Sequence, residues 1–314
     1  MFKKAEKKKQ KLRLALCGPS GSGKTYSALT MAFGIFGENA KVCVIDTEHG
    51  SSELYSDKFP EYYVSNFVAP YSPEAYIKQI KDAEAFGADV IIIDSISHEW
   101  NGPGGCLEIV DNVTNASNSK NSYTSWKNVT PKHQAFIDCI LASKVHIIAT
   151  MRAKQEYALV EKNGKKTPEK IGMAPIQRDG MDYEFTLVID FPGGGNFLAT
   201  SSKDRTGFLS GKTFPIDKVF CESILKWLNS GAEFATDEQK EQIQILAERL
   251  SVEQRKIIKE KHGITGNSAW INMTKDVAVA LIEELRLTKT DDVPIVKKTE
   301  TQSEPLLDDE IPWN

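Results

Sequence analysis

Short apolar runs alternate with segments of helical spacing along roughly the first 230 positions. Four runs are continuous: LRLALC at 12–17, KVCVID at 41–46, DVIIID at 89–94 and VHIIAT at 145–150. Unbroken apolar runs between polar ends mark strands buried on both faces. Between them the pattern predicts helices over 24–36, from Ser72-Pro73 to Gly87, over 131–143, and over 216–229 with Gly231 just beyond. Serine as N-cap, proline at the first helical position and glycine past the end are the expected punctuation. Residues 100–130, rich in Gly, Asn, Ser and Thr, read as loop. Residues 155–175 read as a charged hairpin turning at Asn163-Gly164, and FTLVIDF and NFLATSS as two strands around Gly193 to Gly195. Such alternation predicts an α/β fold whose mostly parallel sheet is covered on both faces, with an antiparallel extension late in the chain.

From 236 to 287 the period becomes purely helical. Thr236 with Gln239 and Ser251 with Gln254 are capping boxes, and Thr274 stands where a third helix would be capped. Ile243, Leu246, Ile257, Ile258, Leu281, Ile282 and Leu285 are the expected core of this small unit. The predicted organisation is a basic tail at 1–10, an α/β core at 11–232, a helical domain at 236–287 and a disordered acidic tail at 288–314.

Composition refines this picture. The chain has 314 residues, 40% hydrophobic and 26% charged, as in ordinary globular proteins. The net charge of −4 excludes coating of nucleic acid by overall charge, so any such binding must be local. Residues 1–13 carry a local +6 and residues 288–314 a local −4. Five cysteines without a C-x-x-C pair point to reduced thiols in a cytoplasmic compartment and to no zinc site. No apolar run is long enough to span a bilayer, and the N-terminus lacks a signal-peptide pattern, so no membrane partner is expected.

The chemistry begins at Gly18-Pro19-Ser20-Gly21-Ser22-Gly23-Lys24-Thr25, a G-x-x-x-x-G-K-[ST] motif between a strand and a helix. Glycines let backbone N–H groups surround a phosphate, and the helix N-terminus adds a favourable dipole. Lys24 is expected on the β- and γ-phosphates of ATP and Thr25 on Mg²⁺. Asp94, ending the DVIIID strand, is the second expected Mg²⁺ ligand. Hydrolysis also requires a group that orients water. Glu48, at the end of the second strand in VIDTEHG, is the candidate, and Glu99 is its rival. His49 and His98 are assigned structural roles.

Taken in order, GPSGSGKT, VIDTEHG and VIIIDSIS resemble the RecA recombinase core, and IIATMRAK continues the likeness. The resemblance covers about residues 11–230. Within that family WKNVTPKH, ATMRAKQEY, APIQRDGMDYEF and SKDRTG look most like short phage-encoded ATPases of the single-strand-annealing (Sak) type. It implies that Glu48 is catalytic. It implies that Lys203 and Arg205, in SSKDRTG, reach ATP in a neighbouring subunit of a ring or filament. A residue supplied in trans in this way is worth about 10³–10⁵ in rate. The family's γ-phosphate-sensing glutamine falls on Thr150, a departure. Phe2-Lys-Lys-Ala5 has the F-x-x-A form of a subunit-docking segment.

The resemblance also implies two loops that bind single-stranded DNA. The first, 100–132, holds Lys120, Tyr123, Trp126, Lys127 and Lys132; the second, 152–178, holds Arg152, Lys154, Lys162, Lys165, Lys166, Lys170 and Arg178. Basic residues interleaved with aromatics suit a single strand, since bases stack and phosphates pair. The end of the chain, LLDDEIPWN, looks like the acidic tip of single-stranded-DNA-binding proteins and would recruit such a protein or its partners. The expected activity is a DNA-stimulated ATPase that promotes annealing or pairing in recombination. Against it stand a hexameric helicase or translocase and an ATP-dependent scaffold or loader.

Overall fold

A computed structural model describes residues 7–117, 121–162, 165–193, 197–264 and 266–288, and the side chains within 155–172 lie outside what it describes. The chain divides into two compact units. One comprises Lys11–Leu228; the other contains the residues from Asn229 onward together with the N-terminal segment up to Gln10.

The larger unit is an α/β domain. Its strands are β1 (Arg13–Gly18), β2 (Val42–Asp46), β3 (Tyr63–Asn66), β4 (Val90–Asp94), β5 (His146–Lys162), β6 (Lys165–Pro175), β7 (Leu187–Asp190) and β8 (Thr200–Asp204). They order as β3-β2-β4-β5-β1-β7-β8, with β6 paired to β5. The pairs through β7 are parallel apart from the β5–β6 hairpin, and β8 runs antiparallel to β7. The expected architecture, a mostly parallel sheet with a late antiparallel extension, is what forms. Strand β3 was not anticipated: YVSN is half-polar because it lies at the sheet edge.

Alternation along β1 shows why its run is apolar throughout. Leu14 and Leu16 enter one core with Leu29 and Met31 of α1 (Lys24–Phe36), while Ala15 and Cys17 enter the other with Tyr76 and Ile80 of α2 (Pro73–Ala85). Side chains two residues apart share a face, so a strand covered on both sides needs apolar residues at every position. Ser72 caps α2 as expected, accepting from Ala75 N at 3.2 Å.

Residues 100–130 are a correction. They fold into α3 (Ser97–Asn101), α4 (Cys106–Ala116) and the first part of α5 (Ser122–Ala142). Asn121 caps α5 by accepting from Tyr123 N at 3.0 Å. Most of the described Asn, Ser and Thr residues that resemble loop lie on exposed or half-exposed faces of α4 and α5, with Ser125 buried, and the apolar buried positions are Cys106, Val110 and Val129. Pro131, expected at a helix start, lies inside α5. The chain continues through α6 (Lys218–Asn229), where Cys221 Sγ packs so closely on Gly34 that a Cβ there would meet it at 2.7 Å.

The smaller unit contains α7 (Asp237–Glu248), α8 (Val252–Lys261), α9 (Asn267–Ile271) and α10 (Lys275–Leu287). Both capping boxes form in full. Thr274 occupies the N-cap of α10 without a side-chain cap bond. Ile243, Ile258, Leu281, Ile282 and Leu285 are buried with Trp270 and Met273, whereas Ile257, expected inside, is 64% exposed. Lys8 and Ala232 form a parallel bridge, and Lys9 pairs with Glu233 at 2.7 Å. The Phe2 to Ala5 segment and the acidic tail from 289 onward lie outside the described residues. Among the described residues no helix is long and apolar enough to cross a membrane.

Candidate functional site

The sheet's carboxyl edge gathers the predicted phosphate chemistry. Gly18 closes β1, and Gly23, at φ 89°, hands the chain to α1 in a left-handed conformation suited to glycine. Lys24 is buried, its ammonium donating to the carbonyls of Gly18 at 3.0 Å and Pro19 at 2.8 Å. Burial lowers its pKa, a trend opposed by Asp94 and Glu48. Ser22 Oγ is buried with no hydrogen-bond partner among the described residues. A buried hydroxyl without a partner, flanked by a lysine and a glycine turn at a helix N-terminus, fits a phosphate oxygen.

Thr25 Oγ1 donates to Asp94 Oδ2 at 2.6 Å, so the two expected Mg²⁺ ligands meet although 69 positions separate them. Thr150 Oγ1 donates to the other carboxylate oxygen. Asp94 is almost completely buried. Burial raises its pKa, opposed by the hydrogen bonds from Thr150 and Thr25. A hydroxyl and a carboxylate beside a phosphate loop are hard oxygen donors of the kind Mg²⁺ takes, with substrate phosphates and waters completing its octahedron. Thr150, at the position of the resemblance's sensing glutamine, instead supports this carboxylate.

Glu48 is held from several sides. Arg152 Nε donates to its Oε1 at 2.7 Å, Arg152 Nη2 donates to Oε2, and Ser95 Oγ donates to Oε1 at 3.1 Å. Burial pushes the carboxyl up, but the bonds and charge of Arg152, with His98 and Ser95, hold it below its ordinary value. The turn that presents Glu48 is built by Asp46, which accepts from Glu48 N at 2.6 Å and from Ser52 N at 2.9 Å. Thr47 ties the same turn to β4, accepting from Ser95 N at 2.9 Å and contacting His98 Nδ1 at 2.7 Å. Asp46 and Thr47 were not singled out in the sequence; their role depends on β2 and β4 being neighbours.

Glu99 does not rival Glu48. It is fully buried, accepting from Cys106 Sγ at 3.1 Å, His133 Nδ1 at 3.0 Å and Gln177 Nε2 at 3.2 Å. A carboxylate occupied in this way braces α3 against α4, α5 and the chain after β6. His98 stacks on Tyr71 at 5.1 Å and holds Thr47, a structural role.

The two expected DNA-binding stretches converge. Tyr123, Trp126 and Lys127 from the first and Lys154 and Arg178 from the second line one groove of about 910 Å³. Trp100, not anticipated, also lines it and stacks on Trp126 at 5.4 Å. The Arg178 guanidinium lies 5.8 Å from the Trp126 ring centre. Tyr123 is 84% exposed. The groove therefore offers flat aromatic faces beside cations. The Arg152 guanidinium is engaged by Glu48, and Arg152 is not among the residues lining the groove. Lys132 pairs with Glu74 at 2.8 Å. Lys120 lies outside the described residues, as do the side chains of Lys162, Lys165, Lys166 and Lys170.

Lys203 and Arg205 are not brought to the phosphate loop of their own chain. Asp204 is opposite Leu187, which pairs with Leu14 near the start of β1, away from Gly18 at its end. Asp204 shapes their turn, accepting from Thr206 N at 2.7 Å and Leu209 N at 2.8 Å. Lys203 Nζ donates to the Tyr183 carbonyl.

Comparison with known proteins adds a family. The model of the AAA domain family matches residues 10–204. No curated protein sequence matches the chain. Solved structures similar to it include a KaiC-like protein of Pyrococcus horikoshii OT3, at 15% identity and TM-score 0.33 over 64% of this chain and 83% of that one. Another is the flagellar accessory protein FlaH of Methanocaldococcus jannaschii, at 17% identity and TM-score 0.34 over 65% of this chain and 84% of that one.

Proposed function

The chain belongs to the AAA domain family, and from that premise we propose that it couples ATP hydrolysis to binding single-stranded DNA, promoting annealing or pairing of strands. ATP binding and hydrolysis follow from the family and the phosphate loop. Lys24 and the loop amides hold the phosphates, Thr25 and Asp94 hold Mg²⁺, and Glu48 orients the attacking water. Bound Mg²⁺ supplies neutralisation of the developing phosphate charge.

The observation that carries the DNA reading is the groove. Trp100, Trp126 and Tyr123 offer stacking faces within reach of Lys127, Lys154 and Arg178. Stacking tolerates any base, and cations follow the backbone, so such a groove suits a single strand without sequence preference. In this reading the protein assembles on DNA as a ring or filament. Lys203 and Arg205, remote from their own phosphate loop, act on a neighbour's ATP, and the acidic tail engages a single-stranded-DNA-binding protein or its partners.

The test is fluorescence anisotropy of labelled oligo(dT) with and without ATP, followed by annealing of complementary strands. Saturable binding strengthened by ATP, and annealing faster than the spontaneous rate, are expected. Absence of oligo(dT) binding at low salt contradicts the reading.

A further inference from the structure

We propose that Glu99, Cys106 and His133 form a structural site for a borderline-soft divalent cation, Zn²⁺ above all, separate from the Mg²⁺ position expected at Thr25 and Asp94.

Three helices supply the donors: Glu99 from α3, Cys106 as the first residue of α4 and His133 from α5. A glycine turn folds Cys106 back onto Glu99. Gly104 has φ 75°, and a Cβ added at Gly105 would meet the carbonyls of His98 and Glu99 at 2.7 Å. Cys106 Sγ lies 3.1 Å from Glu99 Oε1, and His133 Nδ1 lies 3.0 Å from the same oxygen. One donor atom from each residue lies within 4.8 Å of the others. Around tetrahedral Zn²⁺ at ordinary bond lengths, oxygen stands about 3.5 Å from sulfur and about 3.3 Å from nitrogen. Binding the ion therefore opens these two contacts by only about 0.3–0.4 Å.

Charge carries the argument. Glu99 and Cys106 are fully buried, and His133 is 1% exposed. A buried carboxylate needs a compensating charge. Among the described residues its one ion-pair partner is His133, and its other donors, Cys106 and Gln177, are neutral. Protonating His133 would supply the charge, but it would also place a proton on Nε2, which is buried with no hydrogen-bond partner among the described residues. An imidazolium donates from both nitrogens, and a charged donor buried unpaired is costly. With neutral His133 the carboxylate stays uncompensated. Zn²⁺ resolves this, because carboxylate, thiolate and neutral imidazole bring its net charge to zero. On binding, the Cys106 thiol proton leaves to solvent. The imidazole bonds through Nδ1 and keeps its single proton on Nε2, as a neutral donor that is less costly to bury than a charged one.

Thiolate and imidazole select Zn²⁺ over Mg²⁺, which prefers oxygen donors. Gln177 Nε2, 3.2 Å from a Glu99 carboxylate oxygen, orients that ligand from the outer shell, and a water completes four-coordination. The site takes a single cysteine, so the lack of a C-x-x-C pair does not bear on it. Its consequence is mechanical. Trp100, next to Glu99, packs against His133 with ring centres 5.7 Å apart, and Trp126, Thr130 and Pro131 precede His133 on α5. All four line the aromatic groove, so an ion joining α3, α4 and α5 fixes its walls whatever binds there.

The experiment uses the full chain without a histidine tag, loaded with Zn²⁺ or Co²⁺ in excess Mg²⁺ and freed of unbound metal by gel filtration. Atomic emission is expected to find about one Zn²⁺ per chain, and the Co²⁺ form to show a thiolate-to-metal charge-transfer band in the near ultraviolet. Both are expected to be lost in Cys106→Ser and His133→Gln, and kept in Cys139→Ser, which alters another buried thiol. Zn²⁺ at about a hundred times its Kd should raise the Tm of the wild type by about 5–10 °C, and that of Cys106→Ser not at all. These readings need no DNA, so they stand apart from the assignment of the groove to a single strand. A wild type that takes up no Zn²⁺, or whose Co²⁺ form lacks the thiolate band, overturns the site even if the variants fail to fold. Full retention of the band in Cys106→Ser overturns it equally, and uptake without a rise in Tm overturns its structural role.

Discussion

The phosphate site and the aromatic groove share a domain, yet they are built in opposite ways. The proposed phosphate site is a contiguous octapeptide, Gly18 to Thr25, that offers backbone amides and one lysine. The groove is assembled from single side chains: Trp100 from α3, Trp126 from α5, Lys154 from β5 and Arg178 from beyond β6. A backbone-built site needs a local sequence. A side-chain-built site needs only a packing that brings distant residues together. Binding of phosphate should therefore fail on a single change, whereas binding of a strand should erode in steps.

The largest expected effect belongs to Glu48. Glu48→Gln should lower ATP turnover by about 10²–10⁴-fold, the usual weight of a positioned acid–base group, with affinity for a fluorescent ATP analogue retained. Lys24→Ala should lower turnover by about 10²–10³-fold, the cost of losing one preorganised electrostatic contact, and should weaken nucleotide binding as well. On the other side of the comparison, Trp126→Ala should weaken oligo(dT) binding by about 1–3 kcal/mol, as loss of one stacking face does, and leave DNA-free ATP turnover near wild type. An equal loss of both activities would break the distinction between the two regions.

Smaller effects sharpen it. Lys127→Ala should reduce the slope of log affinity for oligo(dT) against log salt by about 0.7, the value for one phosphate contact on a single strand. A pH effect should strike both regions together, because both hang on β5. His146 begins that strand, accepts from Leu12 N at 3.0 Å and packs in a tilted arrangement against Phe36, ring centres 4.0 Å apart. Burial, with Lys11 and Arg13 nearby, pushes its pKa from 6.5 down to about 3. The neutral form is favoured by folding, so its contribution is complete above the ordinary value. It is lost as pH falls from about 6.5 toward 3, at up to about 1.4 kcal/mol per pH unit. Thermal unfolding followed across that range should show the decline, and His146→Gln should flatten it.

How much of this was legible beforehand follows the same division. The loop, Asp94 and Glu48 could be read because strand, glycine turn and helix are local patterns. The contact of Thr25 with Asp94 required only that both strands end at one sheet edge. The helices across 100–130 were hidden because α4 buries so few apolar residues, and its polar face imitates loop composition. Trp100 was overlooked because its partner, Trp126, lies on another helix. The resemblance placed Arg152 in the second DNA-binding loop. In the fold it faces Glu48, since that choice depends on a side-chain ion pair 104 positions apart.

The central claim is that the two regions communicate. The most direct test is the ATP hydrolysis rate with and without long oligo(dT), in wild type and in Trp126→Ala. The account predicts strong stimulation of the wild type, largely lost at the same DNA concentration in Trp126→Ala, whose DNA-free rate stays unchanged. A wild-type rate indifferent to saturating single-stranded DNA would contradict it.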